Sequence, residues 1–517
     1  MKPQPLRTFI RAGLSACCLM VLTPGCMTNP VTGKRELAFI SEDREIALGA
    51  SSYAQQQQAQ GGAYVVHPSV TDYIEGVTQR LAAESDRPHL PYEMVVLNNS
   101  VPNAWALPGG KMAINRGLLT ELGSEAELAA VLSHEIVHVA ARHGAKAVQR
   151  GAFSQLLVLG VGLAVDDNDY KDIIVGGTGL GAALVGMKYS RGAELESDQY
   201  GMQYMARAGY DPTAAVTLQE TFVRLSEGRE TGWLSGLFAS HPPSQERVGA
   251  NRERAATLPQ GGLLGKEAYA RAMQPLLEDQ TAYAKMDEGY MALRNGQPGE
   301  AGALARQAIA IQPREAHFHH LLAKARLAQD QPRAAVEALD RAIALNDGYF
   351  GFHQMRGRLR KDLGDRPGAR QDLMKSINLL PTASAHYDLG AIALDEGRTD
   401  EAGTHFRVAA TADSDDGNKA RAALARLELP THPERHLRVA YDLDRAGQLI
   451  VTVQNPTPVN IAACSFIISA GGTSARFAVP GGLPAGGAAQ VATQLGPFPD
   501  VKTALGQAAF RFDNVSL

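Results

Sequence analysis

The chain has 517 residues, 45% of them apolar and 6% aromatic, with a formal net charge of −4. That length allows three or four domains, and so few aromatic residues point to cores built from helices rich in Ala and Leu. The near-neutral balance lacks the basic stripe that nucleic-acid binding needs, so no nucleic-acid partner is expected.

Lys2, Arg7 and Arg11 form a basic start, and Ala12 to Pro24 is an apolar, small-residue run. It is too short to span a bilayer comfortably and reads as an export signal over residues 1–25. It ends at Gly25-Cys26, where a lipoprotein signal is cut and the cysteine acylated. Thr23 stands where such boxes usually carry Leu, and Pro24 follows it. Leu14-Ser15-Ala16-Cys17 fits the box better residue by residue, but Arg11 leaves almost no apolar run ahead of Cys17. Cys26 is therefore the favoured lipidation site, and a plain cleaved signal or short anchor is the other reading. With Cys26 lipidated, Cys464 is the only side-chain thiol of the mature chain. No internal disulfide can then form, and Cys464 reads as a small buried hydrophobe.

Residues 26–60 read as an extended lead-in followed by a helix starting near Ser41. A second helix opens at His67-Pro68 and runs to about Glu84. Tyr92–Leu97 and Lys111–Asn115 read as strands, joined by the turn-rich Asn103-Ala-Trp-Ala-Leu-Pro-Gly-Gly110. Ser124 is a helix N-cap and Glu127 completes a capping box; the helix should reach about Arg142. Residues 153–165 and 173–187 are apolar and glycine-rich, each shorter than a membrane span. They read as a buried helical hairpin, or alternatively as a flap over the site that touches lipid or unfolded substrate. Residues 189–208 are helical, and Asp211-Pro212 starts the next helix. Residues 259–281 read as a linker after a domain over 61–258.

From 282 to 415 small residues recur in units of about 34: Gly289, Ala301 and Ala308; Ala323, Ala335 and Ala342; Gly357, Ala369 and Ser376; Gly390, Ala402 and Ala409. Helices cross closely only where side chains are small, so these are paired helices stacked in a solenoid similar to tetratricopeptide repeats. Residues 430–517 alternate apolar and polar positions between Gly/Pro clusters and read as a small all-β domain.

His134-Glu135-Ile-Val-His138 carries the chemistry. Two imidazoles four apart project from one helix face and can share a zinc ion. Glu135 can then reach a metal-bound water as general base without being a ligand. His143 lies five residues after His138, about 140° around the helix, and reads as a helix C-terminal histidine favoured by the dipole. In Ser190-Arg-Gly-Ala-Glu194-Leu-Glu196-Ser-Asp198, Glu194 and Asp198 share a face while Glu196 points away. One could bind zinc and the other orient a ligating imidazole, but spacing does not say which; two solvated acids are the bland alternative.

His134-Glu-x-x-His138, Ser190-Arg-x-x-Glu194-x-x-x-Asp198 and Asn103-Ala-x-Ala-x-Pro-Gly-Gly110 together resemble the zinc metallopeptidase family of HtpX and the CAAX prenyl endoprotease, over residues 30 to 258. The candidate lipobox, Asn29-Pro-Val-Thr-Gly33 and the repeats resemble its BepA- and LoiP-like periplasmic members. The resemblance implies one Zn2+ per chain held by His134, His138 and Glu194, with Asp198 behind a ligand. It also implies that His241, in Ser240-His-Pro-Pro243 ahead of Arg247, can take the fourth zinc position as a switch; a structural loop histidine is the bland reading. The expected architecture is multi-domain: a mainly α zincin-type metalloprotease domain with a small sheet, an α-solenoid of tetratricopeptide-like helix pairs, and a C-terminal all-β domain. Ala104, Trp105, Ala106, Leu107 and Pro108 are expected to offer an edge to which an extended substrate adds as a strand. The implied function is periplasmic proteolysis at the outer membrane, on unfolded or misassembled envelope proteins, with repeats docking substrate or the outer-membrane assembly machinery. The rival is a chaperone or adaptor with a locked zinc site.

Overall fold

The computed structural model describes residues 25–38, 40–155, 188–228, 240–470 and 473–517. These form two compact units, one reaching to Phe352 and the other running from His353 to the C-terminus. The expected export signal up to Pro24, the alternative Cys17 and residues 156–187 of the apolar stretches lie outside the described residues. Among the described residues no helix is long and apolar enough to cross a membrane.

In the first unit, β1 (Gly25–Thr28) and β2 (Arg35–Ala38) pair antiparallel. Asn29 closes the turn: its Oδ1 accepts from the N–H groups of Val31 and Thr32. Its Nδ2 donates to the Ala141 carbonyl at 3.3 Å and ties the hairpin to a distant helix end. α1 (Glu42–Ala59) starts at Ser41, whose hydroxyl accepts from Arg44 N–H. α2 (Pro68–Ala83) opens on Pro68, where the missing N–H costs nothing.

A three-stranded sheet follows, of β3 (Glu93–Leu97), β4 (Ala104–Ala106) and β5 (Lys111–Asn115). β5 is central, parallel to β3 and antiparallel to β4, so β4 is an edge. Leu107 N–H donates to Lys111 O, and Asn115 N–H donates to Asn103 O. By the strand alternation, the peptide groups of Ala104 and Ala106 then face away from β5. Trp105 packs edge-on against Tyr53 and donates its indole N–H to Gln60 Oε1 at 3.1 Å. A single helical turn, α3 (Arg116–Leu119), leaves the sheet.

α4 (Glu125–Ala140) is the central helix; every residue in it except Glu127 is buried. Ser124 caps it, accepting from Glu127 N–H at 3.1 Å. The Glu127 carboxylate reaches back to Gly123 N–H at 2.6 Å, one residue further out than a capping box requires. α4 stops two residues before Arg142, which takes a left-handed φ of 61°. That conformation is unfavourable for a residue with a side chain. Buried contacts of its guanidinium with the Glu45 carboxylate and the Ile40 carbonyl hold it there, and Arg87 Nη1 shares Glu45 at 3.0 Å. The chain re-enters helix at once as α5 (His143–Gln155).

α6 (Arg191–Arg207) begins at Ser190, which accepts from Ala193 N–H; α7 (Thr213–Gly228) and α8 (Gln245–Ala255) follow. The expected linker over 259–281 is corrected by the structure. Residues 266–278 form α9 (Lys266–Glu278), and Tyr269, Met273 and Leu276 are buried along one face. Their spacing of four and three is a helical stripe, which seeks a partner surface. Leu263 pairs with Tyr210 as an isolated bridge, and the Leu264 carbonyl accepts from Ala126 N–H.

The repeats are α10 (Gln280–Arg294) with α11 (Pro298–Ile311), then α12 (Ala316–Leu327) with α13 (Pro332–Leu345). α14 (Phe350–Asp362) opens the third repeat. The small positions are buried as close crossings demand: a Cβ on Gly289 would lie 2.6 Å from Leu321 Cδ2. The first pair is fastened to the sheet. Glu315 Oε2 accepts from Tyr283 Oη at 2.7 Å and from Asn98 Nδ2 at 2.9 Å, and the Arg116 guanidinium lies 3.4 Å over the Tyr283 ring.

In the second unit, α15 (Arg366–Leu379), α16 (Ala383–Asp395) and α17 (Thr399–Ala409) complete four repeats, and α18 (Asp415–Glu428) follows them. The C-terminal residues fold as two three-stranded antiparallel sheets. One has the order β10 (Ala488–Ala492), β7 (Leu449–Gln454), β6 (Arg438–Leu443); the other β11 (Ala508–Ser516), β8 (Ala463–Ala470), β9 (Thr473–Ala478). Val451, Val453, Phe466 and Ile468 share one core between them. The expected all-β domain also holds a short helix, α19 (Val501–Gln507). Cys464 is part of that core, and burial pushes its thiol up to about 11.

Candidate metal centre

α4 presents His134 and His138 from one face, and α6 crosses it with Glu194 and Asp198 on its own inward face. Each imidazole turns Nε2 to the centre, because its other nitrogen is held. His134 Nδ1 lies 2.9 Å from Asp198 Oδ1. His138 Nδ1 lies 2.9 Å from His143 Nδ1, and His143 Nε2 lies 3.2 Å from Glu196 Oε1. With Glu196 accepting from His143 Nε2–H, His143 Nδ1 is free to accept from His138 Nδ1–H.

The inward atoms converge. His134 Nε2 and His138 Nε2 are 3.1 Å apart, and they lie 3.5 and 3.4 Å from the Glu194 oxygens. His241 enters from the loop before α8 with its Nδ1 2.9 Å from Glu194 Oε1 and 3.3 Å from His134 Nε2. One ligand atom from each of these four buried residues lies within 4.8 Å of the others. Tetrahedral zinc with bonds of about 2.0–2.1 Å has ligand-to-ligand edges of about 3.3 Å. The donor set therefore fits a single divalent ion. Glu194 Oε2 adds to the fit: it is buried, and although Arg247 Nη1 is 3.0 Å away, no donor among the described residues is aligned to hydrogen-bond it.

Electrostatics favour a cation here. Burial opposes charge on Glu194, but His241 and His134 outweigh it and hold the carboxyl far below the usual range. Burial likewise opposes Asp198, and the Arg247 guanidinium brings it down to about 2. Arg247 grips Asp198 with two nitrogens, each at 2.7 Å, and also reaches the Pro242 carbonyl of the His241 loop at 3.3 Å. Burial resists a charge on His134, yet Glu194 and Asp198 push it up to about 10; burial drives His138 well down. A metal ion bound here would compete with protons for the same donor atoms.

Glu135 is buried beside the cluster, its Oε1 3.6 Å from His241 Nε2. The half-buried Tyr189 lays its ring 3.9 Å from that of His138. Ala106, Leu107 and Pro108 line one small cavity with His138 and Tyr189, which brings the expected substrate edge beside the centre. Ala104, Trp105 and the residues through Pro108 are buried. The Cys26 side chain is not among those described.

Residues 68–255 match the family model described as Peptidase family M48. That stretch is an M48 metallopeptidase domain. Residues 292–359 and 354–417 match tetratricopeptide repeat models, and the C-terminal sheets lie beyond all three matches. Over 349 residues the chain is 27% identical to a beta-barrel assembly-enhancing protease of Yersinia pestis, covering 62% of this chain and 71% of that one. It is 32% identical over 221 residues to the mitochondrial metalloendopeptidase OMA1 of Schizosaccharomyces pombe, covering 42% and 63%. With the beta-barrel assembly-enhancing protease of Escherichia coli it shares 27% identity over 238 residues, 44% of this chain and 47% of that one. The chain thus spans less than two thirds of the length of most of these relatives.

Within the M48 domain, the structure brings together His134, Glu135, His138, Glu194, Asp198 and His241. His143 is corrected: it opens α5 instead of ending α4, and its ring faces His138. Glu196 points away from Glu194 as expected but ends on His143. Arg247 was given no role from the sequence, and nothing local to its helix says that it pairs with Asp198.

Proposed function

We propose that the chain is a zinc-dependent endopeptidase of the bacterial cell envelope, anchored by lipid on Cys26, that degrades misfolded or stalled outer-membrane and periplasmic proteins. The convergence of His134, His138, Glu194 and His241 around one point with Glu135 alongside carries this reading. The names of the bacterial relatives support the envelope setting, and the repeats would dock substrate or assembly machinery.

His134, His138 and Glu194 would hold the metal. When bound, a zinc ion supplies Lewis acidity toward a peptide carbonyl and activates water. Glu135 takes the water proton and passes it to the leaving amine. Asp198 and His143 fix the ring orientations, and Arg247 keeps Asp198 ionised and in place. β4 is an edge strand, and an extended peptide that displaced what covers it would pair with the Ala104 and Ala106 peptide groups.

His241 favours a second reading, since with it in the fourth position the site is closed and the chain could serve chiefly as a chaperone or adaptor. Glu135→Gln separates the two. It should retain metal while cleavage of an unfolded protein falls by about 10²–10⁴-fold. The peptidase reading fails if the zinc-loaded wild type and His241→Ala both cleave nothing. An envelope phenotype that survives Glu135→Gln but not deletion of the repeats would support the adaptor.

A further inference from the structure

Asn29-Pro-Val-Thr-Gly33 lies ahead of the stretch that matches the peptidase family and supplies no metal ligand. It forms the turn between β1 and β2, and Asn29 is buried in it. This hairpin touches the turn between α4 and α5 on both sides. Before the turn, Asn29 Nδ2 donates to the Ala141 carbonyl at 3.3 Å and to Glu36 Oε1 at 3.2 Å. After it, Lys146 of α5 donates to the same Glu36 oxygen at 2.9 Å. Between them, the Arg142 guanidinium meets Met27 Sδ and the Ile40 carbonyl as well as the Glu45 carboxylate. Arg142 has the left-handed φ of 61°. A side-chain-bearing residue persists in that region only where its surroundings over-determine it, and such residues cluster at functional sites. The next residue is His143, whose Nδ1 lies 2.9 Å from His138 Nδ1.

We infer that the β1–β2 hairpin serves the metal centre, and that Asn29 and Arg142 are positioning residues: they hold the turn that aims His143 at His138. The inference rests on the metal-site reading above and not on peptide cleavage. A glycine would take this φ freely. An arginine is held there by what its guanidinium touches, and Met27 and Ile40 belong to the segment ahead of α1. Asn29 adds a donor for Ala141, one of the carbonyls that the end of α4 leaves without a helical partner. Without these contacts the turn can relax to the right-handed region, which prolongs α4. An unbroken α4 would carry His143 about 140° around the axis from His138. The His138 ring would then lose the group that fixes its tautomer and its aim at the metal.

The test is the zinc affinity of the full-length protein, measured by competition with a chelator, with Tm alongside. Asn29→Ala and Arg142→Ala should each weaken zinc binding by about tenfold. Asn29→Asp keeps the acceptor for Val31 and Thr32 but loses the donor to Ala141, so it should weaken binding at least as much. Arg142→Gly should bind zinc about threefold or more tighter than Arg142→Ala, because glycine keeps the turn without strain. A residue that merely packs would show the reverse order. In a His143→Ala background, Asn29→Ala should change zinc affinity by less than about twofold and still lower Tm. Wild-type affinity in both Asn29→Ala and Arg142→Ala overturns the inference. So does a loss that adds in full to that of His143→Ala, or an Arg142→Gly protein that binds zinc no better than Arg142→Ala. A wild type that binds zinc but cleaves nothing, even as His241→Ala, removes the peptidase reading and leaves this inference standing. A wild type that binds no zinc overturns both.

Discussion

His143 holds the nitrogen that His138 turns away from the metal centre, and Glu196 in turn holds His143. Without that chain the His138 ring is free to rotate or to present the wrong tautomer. Groups of this kind are worth about 10–100-fold in metal affinity. His143→Ala should therefore weaken zinc binding by that order, measured by competition with a chelator, and Glu196→Gln should do so less, because an amide oxygen still accepts. Equal affinity in all three proteins would remove His143 from the site. The residue was misread from the sequence for a physical reason. The 140° offset holds only if the helix continues past Ala140, and the left-handed turn at Arg142 breaks it and re-aims the next side chain. The buried Glu45 partner that stabilises the turn is 97 residues away in sequence, so no local pattern announces it. His134, His138, Glu194 and Asp198 were legible because each pair lies four apart on a single unbroken helix.

Among the elements, α1 and the end of β4 are in closer contact than any sequence pattern suggests. A Cβ on Gly49 of α1 would sit 2.0 Å from the Pro108 carbonyl oxygen. Backbone must move to admit it, so Gly49→Ala should cost about 1–3 kcal/mol, read from urea unfolding. It should also lower peptide cleavage more than zinc content, since Pro108 lies beside His138. Unchanged stability would show that α1 slides freely over the turn. The helix starts at Ser41 and Ser124, the strands β3 and β5 and the repeat helices were legible, because capping and periodicity are local signals; the β1–β2 hairpin and the short β4, read as an extended lead-in and a turn-rich connection, carry no such periodicity. The stripe of Tyr269, Met273 and Leu276 was equally local, and a reading of 259–281 by its Gly-rich start alone passed over it.

For the molecule as a whole, the Glu315 network fastens the first repeat to the sheet of the metal-binding domain. Burial would raise the Glu315 carboxyl, but His317 and Tyr283 outweigh it and lower it to about 2. A folded value below the unfolded one stabilises the protein at any pH above about 4.5, and that stabilisation is lost as pH falls toward 2. About 3 kcal/mol is at stake by linkage. Glu315→Gln should thus lower unfolding free energy by that order at pH 7, and the gap from wild type should close below pH 4. A gap independent of pH would assign the loss to packing alone.

The hairpin at the N-terminus sets a length. Asn29, clamped to the Ala141 carbonyl, is three residues from Cys26, and Ala141 is three from His138. Three extended residues reach about 10 Å. Acyl chains on Cys26 would then hold the end of the metal helix about that far from the point of membrane insertion, with almost no slack. On so short a leash, an enzyme anchored as proposed would work on chains at the bilayer surface and would not sweep the space beyond. Lengthening the leader between Cys26 and Asn29 by a flexible insert should widen the set of proteins it reaches, while cleavage of a free peptide in detergent stays the same.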